Sequence, residues 1–155
     1  MSIQIPKQRR GLKNVYESMS EDVRSFFKDL PALIDSDFDL DIALAYVFFR
    51  IEKGQRQTLY VGARKLYRTE SELTWRAIDL HDLTRTGFKE LFKTIYSFPI
   101  SQKSDKCLVD AQKIRDDLMH GRTVKDKGKR EAITKAMYYA EEMNDLIQGK
   151  KDFCP

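Results

Sequence analysis

The sequence predicts an all-α fold, an antiparallel bundle of four to six helices. Along most of the 155 residues, apolar side chains recur at spacings of three and four, which is typical of amphipathic helices. Prolines occur only at positions 6, 31, 99 and 155, so the strongest helix breaker is absent from the long stretches between the last three. No alternation of apolar and polar residues is strong enough to predict a strand.

A capping residue indicates the first predicted helix, and a long apolar stretch indicates the second. Ser20 is placed to cap the first, whose apolar face comprises Val23, Phe26, Phe27 and Leu30. The second begins near Asp39 or Asp41 and extends toward residue 67. Because residues 42–51 are apolar nearly all round, we expect this helix to be the most buried, with Phe48 and Phe49 in the core.

Four further helices follow along the chain. Thr69 and Glu72 have the spacing of a capping box before a short third helix, whose Trp75 we expect in the core. A fourth helix ends before the proline at position 99. Ser104 is placed to cap a fifth helix and Gly121 to terminate it, and the last helix ends near residue 149.

Length and composition favour one domain with two short flanks. We divide the chain into a basic N-terminal segment (residues 1–19), the bundle (residues 20–149) and a C-terminal tail (residues 150–155). The two cysteines, Cys107 and Cys154, do not form a disulfide framework or a zinc motif. The N-terminus has no apolar signal region and no apolar run approaches the ~20 residues that span a bilayer. A cytoplasmic protein without a membrane partner is therefore expected.

The net charge of +4 is unevenly distributed. Residues 7–13 contain four cations and no acid, and residues 121–130 contain five cations and one acid. Two basic segments on a slightly acidic body suit a polyanionic partner such as nucleic acid. A solvated tail and a solvated loop would give the same pattern.

Familiar catalytic motifs are absent. The sequence contains no GxxxxGK[ST], GxGxxG, HExxH or GxSxG pattern. With only two histidines there is no cluster of transition-metal ligands, so we expect neither a metal site nor a cofactor.

The segment that stands out is RDDLMH, residues 115–120, at the end of the fifth predicted helix. At about 100° per residue, Arg115 falls inside the apolar arc of this helix. A guanidinium cannot lose its proton to escape burial, so Arg115 must find a partner or a wet pocket. An intra-bundle salt bridge or a snorkelling side chain would also satisfy it.

The histidine of this segment has two interpretations. Asp116 lies four residues before His120 on the same helix face, where its carboxylate can hold one ring nitrogen and leave the other free for proton transfer. Arg115 and His120 diverge by about 140° along one straight helix. Alternatively, His120 only favours helix termination, because a cation near the C-terminus suits the helix dipole.

Arg115 to His120 reads R-D-x-x-x-H, followed by a basic loop and one amphipathic helix. This pattern resembles the HEPN superfamily, helical bundles marked by an R-x4-6-H motif with Asn, Asp or His after the arginine. The resemblance covers roughly residues 20–148. It implies a metal-independent endoribonuclease, commonly a homodimer with both motifs at the shared interface. Many members are toxins or phage-defence effectors, some with a cognate antitoxin or another protein partner.

By this resemblance, Arg115 and His120 would be catalytic and Asp116 the supporting polar residue, where Asp replaces the commoner Asn. RNA carries its own nucleophile, the 2′-hydroxyl, so proton transfer and charge stabilisation can cleave it without a metal. A two-fold axis would bring the arginine of one subunit to the histidine of the other. The basic loop would bind RNA phosphates through Arg122, Lys125, Lys127, Lys129 and Arg130.

Two alternatives belong to other functional classes. A non-catalytic helical module that binds a partner protein or a nucleotide would leave Arg115 structural. A nucleic-acid-binding bundle without chemistry would depend on the basic segments alone.

Overall fold

The computed structural model describes residues 3–80 and 83–149. These residues form eight helices and no strand, so the predicted all-α helical bundle is confirmed. The helices are α1 (Gly11–Glu17), α2 (Glu21–Phe26), α3 (Leu30–Asp35), α4 (Leu40–Tyr67), α5 (Ser71–Asp79), α6 (Arg85–Tyr96), α7 (Gln102–Met119) and α8 (Asp126–Gln148). Over this part of the chain, none of the helices is long and apolar enough to cross a membrane.

The helices divide between two compact units. The first comprises the described residues of Met1–Ile51 and Gln102–Asn144, and the second those of Glu52–Ser101 and Asp145–Pro155. The long helices α4 and α8 therefore each contribute to both units. The predicted N-terminal segment falls within the first unit, and the predicted tail, residues 150–155, lies outside the described residues.

The basic N-terminal segment is folded, and two of its four cations, Arg9 and Lys13, bind other parts of the fold. It contains α1, which the sequence did not predict, and Arg9 donates hydrogen bonds to the carbonyl oxygens of Leu33 (2.8 Å), Ile34 (2.7 Å) and Phe38 (2.6 Å). The last carbonyls of a helix such as α3 lack a partner within the helix and carry the negative end of its dipole. Arg9 therefore stabilises the end of α3, and the interpretation of this segment as a solvated tail is wrong.

The first predicted helix begins where expected but is divided in two. The Ser20 hydroxyl oxygen accepts the N–H of Val23 (3.4 Å), which confirms Ser20 as the cap of α2. Proline lacks an N–H and is tolerated in the first turn of a helix, and a new helix, α3, begins at Leu30 with Pro31 in its first turn. This extra boundary is one reason why the described chain has more helices than predicted.

Helix α4 extends as predicted, but its apolar residues are not all buried. Phe48 is 3% exposed, whereas the next residue, Phe49, is 62% exposed and Ile42 is half-exposed. Successive residues on a helix are rotated by about 100°, and only one side of this part of α4 faces the core. The prediction that Phe49 lies in the core is therefore wrong, and Trp75, also expected there, is 37% exposed.

In the second unit, α4 and α6 approach closely at a glycine. A Cβ atom at Gly62 would lie 2.7 Å from the Ile95 side chain and 2.8 Å from the Tyr96 ring. The Tyr96 hydroxyl donates a hydrogen bond to the Thr58 carbonyl oxygen (2.7 Å). Any side chain larger than glycine at position 62 would force the two helices apart.

Two predicted caps are wrong, by one residue at α5 and by three residues at α7. The carboxylate of Glu70, and not Thr69, accepts the Leu73 N–H (2.7 Å) at the start of α5. Helix α7 begins at Gln102, and Ser104 is buried inside it. Several polar side chains near each start are able to accept the free N–H groups, so the sequence alone does not choose between them.

The contrast between two adjacent phenylalanines is testable. Phe48→Ala removes a buried ring and should lower the free energy of unfolding by about 3 kcal/mol. Phe49→Ala removes a ring that is exposed in the single chain and should change it by less than about 0.5 kcal/mol when both variants are measured at a concentration low enough to keep the chain monomeric. Urea unfolding of both variants measures the difference, and equal losses would contradict the orientation of α4.

Candidate functional site

The candidate site lies at the C-terminal end of α7, which closes in a Schellman turn. The Gly121 N–H donates to the Leu118 carbonyl oxygen (3.0 Å) and the Arg122 N–H to the Asp117 carbonyl oxygen (2.9 Å). Gly121 has φ +71°, a left-handed conformation that glycine adopts at little cost. The prediction that Gly121 terminates this helix is confirmed.

His120 is the last residue before this glycine and is exposed. Its N–H donates to the Asp116 carbonyl oxygen (3.0 Å), which fixes the backbone at the helix end. Within the described residues, the His120 ring forms no hydrogen bond or ion pair. The imidazole is therefore open to a ligand from solvent.

Arg115 is held against the body of the first unit. Its guanidinium carbon lies 4.9 Å from the centroid of the Phe48 ring, and its side chain is 27% exposed. The Nε and Nη2 groups both donate to Oδ1 of Asp116, at 3.0 Å and 2.8 Å. Arg115 is thus half-buried and paired with Asp116, as expected for an arginine in the apolar arc of a helix.

The structure does not bring the three motif side chains together. The Asp116 carboxylate binds Arg115, whereas the sequence placed it on the ring of His120. Two N–H groups of a permanent cation offer this carboxylate a stronger, charge-assisted contact. The contact expected between Asp116 and the His120 ring is therefore not present, and Arg115 and His120 are positioned independently.

The basic loop after the motif contains three exposed cations. Lys125 and Lys127 are exposed, and neither forms an ion pair within the described residues. Arg122 is exposed too, but its Nη1 lies 2.6 Å from Oδ1 of Asp117. An ion pair in contact with solvent is weak, so a phosphate is able to compete for Arg122.

The remaining two predicted RNA-binding residues are occupied by the fold. Lys129 is 6% exposed, and its Nζ lies 2.7 Å from a carboxylate oxygen of Asp39 and of Asp41. Arg130 is half-buried and donates from Nε to the Pro6 carbonyl oxygen (2.9 Å). The assignment of Lys129 to RNA binding is wrong because its charge is buried and neutralised by the first turn of α4.

Lys129 and Asp39 also shift each other's protonation. Burial alone would lower the pKa of Lys129, but hydrogen bonds and charges from Asp39 and Asp41 outweigh it and raise the pKa above 10.5. The hydrogen bonds from Lys129 and from the Asp41 N–H hold the pKa of Asp39 below 3.8. Lys129 and Asp39 are therefore both charged at neutral pH.

Two contacts of the site were missed by the sequence analysis. Phe48 supports Arg115 from another helix, and nothing in the apolar run of α4 distinguishes this phenylalanine from its neighbour. Lys129 binds Asp39, which is 90 residues away in the sequence, so no local spacing of residues predicts this pair. Among the described residues, no three His, Cys, Asp or Glu side chains are grouped so that they could hold a metal ion.

Comparison with known proteins does not assign the site. No protein-family model, curated protein or solved structure matches the chain.

The buried lysine predicts a specific loss of stability. Removing one partner of a buried ion pair costs about 3–5 kcal/mol. Because Asp39 and Asp41 keep access to water, we expect Lys129→Met to lower the free energy of unfolding by about 2 kcal/mol. Lys127→Met is the matched control and should change it by less than about 0.5 kcal/mol. Equal values for both would show that Lys129 is not buried in solution.

The loss of stability in Lys129→Met should also depend on pH. The lowered pKa of Asp39 means that its carboxylate stabilises the fold at pH values above 3.8, the ordinary pKa of an aspartate. This contribution is lost as the pH falls through the lowered pKa. A raised lysine pKa stabilises the fold below 10.5, and this contribution is lost as the pH rises through the raised pKa. The difference between Lys129→Met and the natural chain should therefore be constant from about pH 5 to 9 and shrink at both extremes.

Proposed function

We propose that this protein is a metal-independent endoribonuclease of the HEPN type that acts in the cytoplasm, with Arg115 and His120 as its catalytic pair. What supports the proposal is a half-buried arginine and an exposed histidine at the end of one helix, in the R-D-x-x-x-H order of that superfamily. A general base and a phosphate-binding cation are the two groups that cleavage by the 2′-hydroxyl requires.

The proposed mechanism divides the work between the two residues. The imidazole of His120, open to solvent, takes the proton of the 2′-hydroxyl or gives one to the departing 5′-oxygen. Arg115 donates hydrogen bonds to the non-bridging oxygens as negative charge builds on the phosphate. Because Asp116 takes both donors on the Nε edge of Arg115, the phosphate has to displace Asp116 from that edge. Asp116 thus competes with the phosphate for Arg115.

A homodimer belongs to the proposal because one helix does not direct both groups to one phosphate. An exposed apolar stripe, Ile42, Ala45 and Phe49, runs along one face of α4 in the first unit. Phe48 lies about 60° around the helix from Ala45, so the stripe borders the ring that holds Arg115. A second copy packed on the stripe across a two-fold axis would place its own motif beside Arg115.

Phosphate contacts would come from the exposed part of the basic loop. Lys125 and Lys127 supply charge without a competing ion pair, and Arg122 exchanges its contact with Asp117 for a phosphate. Contacts of this kind position RNA on the protein and do not read its sequence. We therefore expect cleavage with little base preference from this loop.

The first test of the proposal is cleavage of labelled single-stranded RNA in excess chelator. Attack by the 2′-hydroxyl leaves a 2′,3′-cyclic phosphate and a 5′-hydroxyl, and mass spectrometry identifies both ends. Products with a 5′-phosphate would contradict the mechanism even if the RNA were cleaved. Loss of all cleavage in chelator would contradict metal independence.

A set of variants at the motif separates catalysis from structure. His120→Ala should lower the cleavage rate by ~10²-fold or more, the size expected for a missing general acid or base. It should lower stability by less than about 1 kcal/mol, because the ring is exposed at a helix end. Arg115→Lys should also impair cleavage because it loses the planar fork.

Asp116→Asn is the matched control for this set. It keeps the shape of the side chain but removes the charge that competes with a phosphate for Arg115, so it should cleave at least as fast as the natural chain. A His120→Ala protein that cleaves normally would instead assign the motif to the fold. The non-catalytic interaction module would then be the better account.

The dimer is tested at the stripe. Sedimentation equilibrium at micromolar concentration should give twice the mass of the 155-residue chain. Phe49→Glu should give a monomer that stays folded but no longer cleaves, since the composite site is lost. Leu91→Glu, at an exposed apolar side chain of α6 in the second unit, should change neither property. A natural chain that is monomeric at all concentrations would contradict the composite site.

A further inference from the structure

We propose that Tyr60 and Trp75 form a stacking surface for the bases of single-stranded RNA on the second unit, distinct from the motif at the end of α7. The inference rests on the proposed function for the identity of its ligand. It adds a second binding surface to that function, built from α4 and α5 and flanked by arginines.

The two rings form a parallel pair at the protein surface. Their centroids are 4.3 Å apart and their planes are inclined by 13°. The Tyr60 hydroxyl lies 2.6 Å from the Ser71 hydroxyl, which fixes the orientation of the tyrosine. Trp75 nevertheless remains 37% exposed, so the stack does not close over its indole. The second ring fixes the orientation of this exposed indole, so a base is able to stack on it without further ordering of the side chain.

The helix that carries Trp75 buries none of its nine residues. Helix α5 is held on α4 by this ring pair and by Arg56, which donates to the Ile78 carbonyl oxygen (3.1 Å) and lies 3.7 Å from Asp79. A helix with no buried side chain adds little hydrophobic stability to a fold. Packing against Tyr60 therefore accounts for one side of the indole, and its exposed part remains available for binding.

The charge beside the stack suits a polyanion. Lys53, Arg56 and Arg64 lie on the same face of α4 as Tyr60, within about 80° around the helix. Arg64 is exposed, as is Arg76 next to Trp75. Residues 52–101 contain nine Lys or Arg and six Asp or Glu, so this unit is net positive. Arginines around exposed aromatic rings are the combination that single-stranded nucleic acids prefer.

Two of the acids nearby, Glu70 and Asp79, are engaged by the protein itself. The Glu70 carboxylate accepts the N–H groups of Glu72 and Leu73 at the start of α5, and these hydrogen bonds hold its pKa below 4.5. Asp79 lies beside Arg56. Bases are accessible only in unpaired strands, so the surface should distinguish single-stranded RNA from duplex RNA.

The decisive experiment uses Trp75 as its own reporter, because it is the only tryptophan of the chain. The full chain carrying His120→Ala is titrated with a short uridine oligomer, which it cannot degrade under the proposed mechanism. Saturable quenching of the Trp75 emission is expected, and little quenching by an RNA duplex of equal concentration. Absence of quenching by the single strand, with or without binding seen by anisotropy, would overturn the inference.

Variants at the ring test stacking by binding alone. Anisotropy of the labelled oligomer should show that Trp75→Leu weakens binding at least about fivefold, whereas Trp75→Phe retains most of it because phenylalanine also stacks. Leu73→Ala, an exposed apolar change on the same helix, is the control and should bind normally. Equal affinity for Trp75→Leu and Trp75→Phe would overturn stacking.

The two proposals fail in different ways. Cleavage by the natural chain without any Trp75 response would remove the stacking surface and leave the nuclease. A Trp75 response without cleavage would remove the nuclease and leave an RNA-binding surface.

Discussion

The ammonium group of Lys129 is the constraint on which the first unit depends. A buried cation must be neutralised, and Lys129 meets this requirement by binding Asp39 and Asp41 at the start of α4. Carboxylates are favoured at helix N-termini, so the same two residues stabilise the beginning of α4 while they neutralise the lysine. The pair thereby sets where α4 starts relative to α8. Phe48 follows about two and a half turns later, and its ring is the support on which Arg115 lies.

Features with a local physical cause were predictable from the sequence. Ser20 is recognised because its hydroxyl serves an N–H three residues later, and Gly121 because a left-handed residue ends the helix. Amphipathic spacing likewise gave the all-α class. The break between α2 and α3 was not predictable in this way, because the apolar spacing from Val23 to Leu30 continues across it and hides the helix boundary.

Features that depend on distant partners were not predictable. Periodicity places Phe48 and Phe49 in one apolar run, but which of them is buried is decided by the helices that pack against α4. The spacing that placed Arg115 in an apolar arc correctly indicated that it needs a partner. It did not identify Phe48, and it assigned Asp116 to His120 because helix spacing alone ignores the reach of an arginine side chain to its neighbour.

The cations of the chain therefore divide into two groups that the net charge does not separate. Arg9, Lys129 and Arg130 stabilise the fold through carbonyl oxygens and carboxylates. Lys125 and Lys127 are left as the cations of the basic loop without an internal partner among the described residues. Under the proposed function each phosphate contact would add a separate increment to the affinity for RNA, so Arg122 and two lysines would bind it more weakly than the five cations of the loop imply. Tight binding would then require a further source, which a second subunit and the exposed ring pair of α4 and α5 would supply without adding buried charge.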